Sequence, residues 1–208
     1  MYSILMAMQL SFSNLFQFFG AISPLLLTTC LVLISCFNQD VKGFVYLGGI
    51  LIAGLINIVL QNTLKVKPTG PIQPSCNMIE FPFNLNEYDT PSFNTMWLSF
   101  TLFYLLMPMV YISSINIGIV LFISALLTID AVTKFIRGCT QISGIGLGFI
   151  VGGLLGLLWF ILMYSSGNKN LLYFNLESSD NVMCSRPSKQ TFKCSVYRNG
   201  QVISSSIA

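Results

Sequence analysis

Three points of the chain have features that bind phosphate groups in proteins. Two of them carry basic residues, and the third is a predicted helix start. Lys65 and Lys67 follow one apolar run. Pro91 and Ser92 precede the next apolar run, and Arg137 follows a later one. Fixed cations and the free N–H groups of a helix N-terminus both favour an anion. The same residues are also typical of helix caps and of side chains that reach from a bilayer to water, so a purely structural interpretation stays open.

Several other kinds of site are disfavoured by the residue types present. The chain has no histidine, and its six cysteines form no Cys-x-x-Cys pair, so we expect no zinc, haem or other cofactor. The net charge of +3 is small and scattered, which argues against a nucleic-acid partner. Cys30 and Cys36 lie in an apolar run and are interpreted as packing residues, whereas Cys184 and Cys194 bracket a polar segment and could form a disulfide.

The elements that must position these residues are set by an unusually apolar composition. Of the 208 residues, 54% are hydrophobic and only 8% are charged, and the mean hydropathy is +0.74. A soluble domain carries about 25% charged residues. We therefore predict an integral, multi-pass membrane protein. No cleavable signal peptide is predicted, because residues 1–39 contain no charged side chain.

The apolar runs predict an all-α polytopic protein with about five transmembrane helices. Residues 1–20 are expected to form an amphipathic helix at the bilayer surface, although a first span there remains possible. Residues 21–164 form the bundle, with a proline-rich loop at 65–95 between spans 2 and 3. The predicted spans are 21–37, 44–62, 96–112, 115–130 and 145–164.

Glycines in the last predicted span recur every four residues and so share one helix face. Such a stripe lets another helix approach closely, and we interpret it as a packing surface. Its members are Gly144, Gly148, Gly152 and Gly156.

Residues 165–208 are predicted to be a polar tail that ends in a small β-hairpin. Two short strand-like runs flank Asn199 and Gly200, and Asn-Gly is the strongest short hairpin signal. A lone hairpin is marginal in water, so a Cys184–Cys194 disulfide or a partner surface would stabilise it. We expect the tail to contact other membrane proteins or a protein shell.

Five spans fix which connections share a side of the membrane. The N-terminus, the 65–95 loop and the 131–143 loop lie on one side, and the tail lies on the other with the 38–43 and 113–116 turns. Four basic residues lie on the loop side and six on the tail side, which favours a cytoplasmic tail only slightly.

This order of elements resembles the type 2 phosphatidic acid phosphatase superfamily. That family has a Lys-x6-Arg-Pro loop, then Pro-Ser-Gly-His opening a helix, then Ser-Arg-x5-His-x3-Asp opening a glycine-rich last helix. The corresponding stretches here are Leu64 to Pro74, Thr90-Pro91-Ser92-Phe93-Asn94, Ile136-Arg137-Gly138 and Gly144 to Trp159. The resemblance covers residues 44–164 and implies a bundle with its phosphate site at the loop side.

The departures from the family motifs imply that catalysis is lost. Asn94 stands where the family has the histidine that acts as general acid, and Ser143 stands where it has the histidine nucleophile. The carboxylate that orients the nucleophile is replaced by Leu147. Loss of such groups removes orders of magnitude of rate. The vestigial phosphate-binding set implied by the resemblance is Lys65, Lys67, Pro91, Ser92, Asn94, Arg137 and Ser143.

The leading functional hypothesis is therefore a non-catalytic membrane protein with a degenerate phosphatase-like fold and a structural or scaffolding role, able to hold a lipid phosphate. The chain also resembles membrane proteins of large double-stranded DNA viruses, which implies a place in a virion's internal membrane. Two alternatives stay open. One is a lipid phosphatase with a rearranged site. The other is a small transporter or channel accessory protein, for which Asn57 and Asp130 are the polar residues within predicted spans.

Overall fold

The computed structural model describes most of the chain as five helices and a two-stranded sheet. It covers residues 12–67, 88, 90–136, 138–167, 171–174, 193–198 and 201–207. The helices are α1 (Phe12–Phe37), α2 (Lys42–Leu64), α3 (Phe93–Tyr111), α4 (Ile117–Ile136) and α5 (Ile142–Ser165). The strands are β1 (Lys193–Arg198) and β2 (Gln201–Ile207). The chain divides into two compact units, Met1–Ser178 and Ser179–Ala208.

All five predicted spans are helices, and each is long and apolar enough to cross a membrane. This is the pattern of an integral membrane protein. α1 is continuous from Phe12, so residues 12–20 belong to the first long helix, whose candidate span is Phe18–Phe37. The predicted surface helix over residues 1–20 is thus not confirmed, and residues 1–11 lie outside the described part. α4 continues to Ile136, six residues beyond the predicted end.

Helix α3 is the centre of the bundle. It packs along α5 and also contacts α1, α2 and α4. Of its candidate span 67% is buried, against 11% for α4, which is mostly on the outside. The predicted glycine face of α5 meets the α3 backbone here. A Cβ added at Gly148 would lie 2.7 Å from Ser92 O, and one at Gly156 would lie 2.6 Å from Phe100 O.

Hydroxyl and indole groups join α1, α2 and α3 within the bundle. Trp97 Nε1 donates to Thr28 Oγ1 over 2.9 Å. The Tyr46 hydroxyl lies 2.6 Å from Thr101 Oγ1 and 3.3 Å from Thr28 Oγ1. Tyr46 and Thr101 are fully buried. These bonds satisfy polar groups that would otherwise be costly in an apolar interior.

A short segment after α5 covers the tail-side end of this unit. Leu172 and Tyr173 are buried, and the Tyr173 hydroxyl donates to Leu31 O over 3.0 Å. Burial raises the pKa of Tyr173, so the phenol stays protonated at ordinary pH. The start of the predicted tail is therefore part of the first unit.

The second unit contains β1 and β2, which pair antiparallel. Lys193 pairs with Ile207 and Arg198 with Gln201, and the register shifts between Val196 and Tyr197. The predicted turn at Asn199-Gly200 lies outside the described residues, so the hairpin connection stays a prediction. Cys184 also lies outside the described part, which leaves the Cys184–Cys194 disulfide untested.

Candidate functional site

The chain segment that opens α3 is held by both α2 and α5. Ser92 N donates to Gly144 O over 3.0 Å, which joins the start of α3 to the start of α5. The carbonyl of Pro91 accepts from Gln61 Nε2 over 2.8 Å and from Asn57 Nδ2 over 3.4 Å. The Thr90–Pro91 peptide bond is cis. Helices α2 and α5 therefore both hold the backbone at the position of the Pro-Ser pair.

Asp130 brings a carboxylate from α4 to this helix start. Its side chain is almost fully buried, with the residue 1% exposed. Thr95 Oγ1 donates to Oδ2 over 3.0 Å, and Asn94 Nδ2 lies 3.5 Å from Oδ1. A Cβ added at Gly20 of α1 would lie 3.5 Å from the Asp130 Cα, at ordinary contact distance, so α1 packs against α4 at this point. The carboxylate is thus enclosed between α1, α3 and α4.

Lys134 supplies the positive charge of the site from one turn further along α4. Its Nζ lies 3.6 Å from Asp130 Oδ1 and donates to Ser92 Oγ over 2.8 Å. Thr95 Oγ1 lies 3.2 Å from Ser92 Oγ, which closes the set of contacts. We call Ser92, Asn94, Thr95, Asp130 and Lys134 the polar cluster. Its single cation and single anion neutralise each other, and each charge accepts or donates further hydrogen bonds.

The polar cluster is built to join helices. A buried charge is costly unless it is paired and hydrogen-bonded, and both conditions are met here. Its members come from α4 and from the first turn of α3, which α2 and α5 hold through Pro91 and Ser92. One oxygen nearby is not satisfied, since the fully buried Asn57 Oδ1 has no hydrogen-bond partner among the described residues.

The seven residues predicted for a phosphate site are not all placed in the cluster. Pro91, Ser92 and Asn94 lie in it or beside it. Lys65 is exposed at the C-cap of α2, and Lys67 is exposed two residues later. Arg137 lies outside the described residues.

The surroundings of Ser143 do not fit the nucleophile that the resemblance implies at its position. It is exposed in the first turn of α5, and its hydroxyl lies 3.4 Å from Gln141 Oε1. A serine acts as a nucleophile only beside a base, and an amide oxygen is not one. The contacts of Ser143 therefore do not supply the activation that a rearranged phosphatase would need.

Three residues of the site were not predicted from the sequence: Gln61, Thr95 and Lys134. Each follows another polar member of the site by about one helical turn. The spacing is four residues from Asn57 to Gln61 and from Asp130 to Lys134, and three from Ser92 to Thr95. Polar pairs one turn apart in otherwise apolar helices share a face. That spacing was the available signal.

Among the described residues, no group of three His, Cys, Asp or Glu side chains is close enough to hold a metal ion. The arrangement offers hydrogen bonds and one ion pair between helices. Comparison of the chain with family models, with curated proteins and with solved structures gives no match, so the argument for a function depends on this geometry.

Proposed function

We propose that the protein is a non-catalytic integral membrane protein with a degenerate phosphatase-like bundle and a structural or scaffolding role. The observation that carries the proposal is the engagement of Lys134 by Ser92 and Asp130. Lys134, a cation in direct contact with the Pro-Ser pair, is already paired with Asp130 inside the protein. The position of the family's general acid is Asn94, whose amide cannot donate a proton to a leaving group at ordinary pH.

The absence of histidine from the sequence supports the same proposal. The resemblance implies a covalent phosphohistidine, and no imidazole is present to form one. Ser143, at the corresponding position, contacts an amide side chain. The work of such a chain is to build and organise a membrane, of a cell or a virion. The strands of the second unit would contact a protein partner on the tail side.

A phosphate-release assay tests the absence of catalysis. The purified protein in detergent micelles would be given phosphatidic acid or a polyprenyl diphosphate, beside a histidine-containing member of the phosphatase family. We expect release no faster than from empty micelles. Release that disappears in Lys134→Met, Arg137→Ala or Ser143→Ala would contradict the proposal and support a rearranged phosphatase site.

The proposal includes contact with a lipid phosphate at the exposed end of α2. Lys65 and Lys67 are exposed there, on the side that the start of α3 shares. Native mass spectrometry of protein released from vesicles of phosphatidic acid and phosphatidylcholine would measure retained lipid. We expect phosphatidic acid to be retained preferentially, and less so in Lys65→Gln/Lys67→Gln. Equal retention of both lipids would exclude this contact.

A transporter or channel accessory role is the second candidate, and the burial of Asp130 favours it. Ionisable residues within membrane helices commonly mark ion or proton pathways. Asn57 of α2 is fully buried, and its Oδ1 has no hydrogen-bond partner among the described residues. Ion or proton flux into liposomes, abolished in Asp130→Asn, would support this role over the scaffold. No flux above protein-free liposomes is expected if the cluster is structural.

A further inference from the structure

One buried hydroxyl of the bundle has no hydrogen-bond partner among the described residues. It belongs to Tyr104 of α3, whose side chain is fully buried. The ring is stacked on that of Phe100, at a centroid distance of 6.0 Å, and lies 5.7 Å from the ring of Tyr46. A polar group without a partner is costly in an apolar interior, and buried hydroxyls are nearly always hydrogen-bonded. The Tyr104 hydroxyl therefore requires a partner that the described side chains do not supply.

Two further tyrosines lie near this hydroxyl. Tyr46 of α2 and Tyr173, in the segment after α5, belong with Tyr104 to one cluster of buried side chains. Both interact electrostatically with the Tyr104 hydroxyl, and Tyr173 does so more strongly than Tyr46. Three phenol groups, from α2, α3 and the segment after α5, are therefore neighbours in the buried interior.

The hydroxyl proton of Tyr46 is already used in a hydrogen bond. Thr101 Oγ1 donates its own proton to Trp97 O, so the 2.6 Å contact between the Tyr46 hydroxyl and Thr101 Oγ1 is a donation from Tyr46. Thr28 Oγ1 lies 3.3 Å from the Tyr46 hydroxyl but donates its proton to Pro24 O. A phenol oxygen has lone pairs in addition to its single proton, so Tyr46 can still accept a hydrogen bond.

The hydroxyl proton of Tyr173 is used as well. It is donated to Leu31 O of α1 over 3.0 Å, which leaves lone pairs on the Tyr173 oxygen that can accept. The three neighbouring phenols thus have one unused proton, on Tyr104, and unused lone pairs on the other two oxygens. A ligand that satisfies all three groups must accept one hydrogen bond and donate two.

We infer that a single water molecule is bound at this point, where it accepts from Tyr104 and donates to Tyr173 and Tyr46. Water has two protons to donate and lone pairs to accept, and a buried water makes about three hydrogen bonds. An ammonium group has no lone pair for the Tyr104 proton and would be an unpaired buried charge. The bound water joins the segment that carries Tyr173 to α2 and α3. This inference does not depend on the proposed function.

X-ray footprinting of the full-length wild-type protein in detergent micelles tests for the water directly. Radicals formed from a bound water oxidise the side chains that touch it, and mass spectrometry locates the products. We expect Tyr104 to be oxidised although it is fully buried, and to be oxidised more slowly in Tyr173→Phe. Met109 of the same helix is 1% exposed and is the control for access of bulk solvent, because its thioether is readily oxidised. Oxidation of Tyr104 no faster than that of Met109 would overturn the inference.

Phenylalanine variants give an independent test that keeps the shape of the core. With a bound water, Tyr104→Phe should lower the folding equilibrium constant about fivefold, the usual effect of losing one hydrogen bond. Removal of a hydroxyl that has no partner would leave stability unchanged or raise it, and that result would overturn the inference.

The double variant Tyr104→Phe/Tyr173→Phe shows whether the two phenols share one ligand. Its loss should be smaller than the product of the two single losses, because both substitutions act on the same water. Tyr111→Phe is the matched control, since the Tyr111 hydroxyl bonds to that of Tyr164, and its effect should multiply with that of Tyr104→Phe. Independent effects of Tyr104→Phe and Tyr173→Phe would contradict a shared water. A direct bond between the two phenols would reproduce the coupling but not the oxidation of Tyr104.

Discussion

The ammonium group of Lys134 donates to Ser92 Oγ over 2.8 Å and so joins the last turn of α4 to the N-cap of α3. Asp130 Oδ1, on the same helix, lies 3.6 Å from the ammonium group and helps to hold it in this position. α4 is mostly exposed along its candidate span, and Asp130 and Lys134 make the hydrogen bonds described above between it and the start of α3. The polar cluster therefore determines where α4 docks, in addition to contributing to its stability.

Replacing Asp130 by asparagine is expected to destabilise the bundle by about 3 kcal/mol, because it leaves Lys134 facing the interior without its counter-ion. Lys134→Met should lower stability by a similar amount, since it leaves the buried Asp130 carboxylate without its counter-ion. The measurement is the free energy of unfolding in mixed micelles, followed by circular dichroism.

The double variant Asp130→Asn/Lys134→Met is the control for this pair. It removes both charges, so its loss should be clearly smaller than the sum of the two single losses. Additive losses would show that the two side chains act independently and that the ion pair does not hold α4 in place.

Thr95→Val tests the hydrogen bond from α3 to the carboxylate. The substitution keeps the branched shape but removes the donor to Asp130 Oδ2. We expect the free energy of unfolding to fall by about 1–2 kcal/mol. This lies in the upper range for polar contacts between membrane helices, because the acceptor is charged. Thr128→Val is the matched control, since Thr128 is exposed and its hydroxyl donates to Ser124 O of its own helix. Equal losses in the two variants would argue against a role for the bond to Asp130.

The helices could be predicted from the sequence because their signals are local. An apolar run of about 20 residues specifies a span wherever it packs. The end of α4 was misplaced for a physical reason. The sequence alone predicts a loop at Lys134, but Asp130 one turn earlier compensates its charge, and the helix continues to Ile136.

The polar cluster could not be predicted in the same way, because it depends on how helices are rotated against each other. Thr95 and Asp130 are 35 residues apart in the chain, and nothing local shows that they face one another. Their meeting follows from the docking of α4 on α3. The exposed positions of Lys65 and Ser143 likewise reflect the packing of whole helices and not their spacing in the sequence.

Asp40, in the turn between α1 and α2, should make stability depend on pH. Burial raises its pKa, but hydrogen bonds from Ser35 and Lys42 and the charge of Lys42 outweigh this, so the pKa lies below the ordinary value of 3.8. A lowered folded-state pKa gives stability that is present above the unfolded value and is lost as the pH falls through the folded value. The contribution is small, because the side chain is 26% exposed.

The measurement is the melting temperature of the wild type and of Asp40→Asn between pH 7 and pH 3. We expect the variant to melt lower at pH 7, and the difference to shrink below about pH 4 as the wild-type carboxylate takes up a proton. Ser35→Ala, which removes one donor to Asp40, should show part of the same convergence. A difference that stays constant over the whole range would contradict the assignment.

The contact of α5 with α3 should tolerate no side chain at Gly152. A Cβ there would overlap the backbone of Met96, with its Cα at 2.9 Å, and backbone atoms cannot rotate away. Overpacking of this kind costs about 1–3 kcal/mol and sometimes more. We therefore expect Gly152→Ala to lower the free energy of unfolding by about 1–3 kcal/mol or more. Gly146 provides the control on the same helix, because none of the described atoms lies within 4 Å of a Cβ built there. Gly146→Ala should be neutral or stabilising by up to about 1 kcal/mol through helix propensity. If both variants unfold like the wild type in micelles, the close approach of α3 and α5 does not exist in the folded protein.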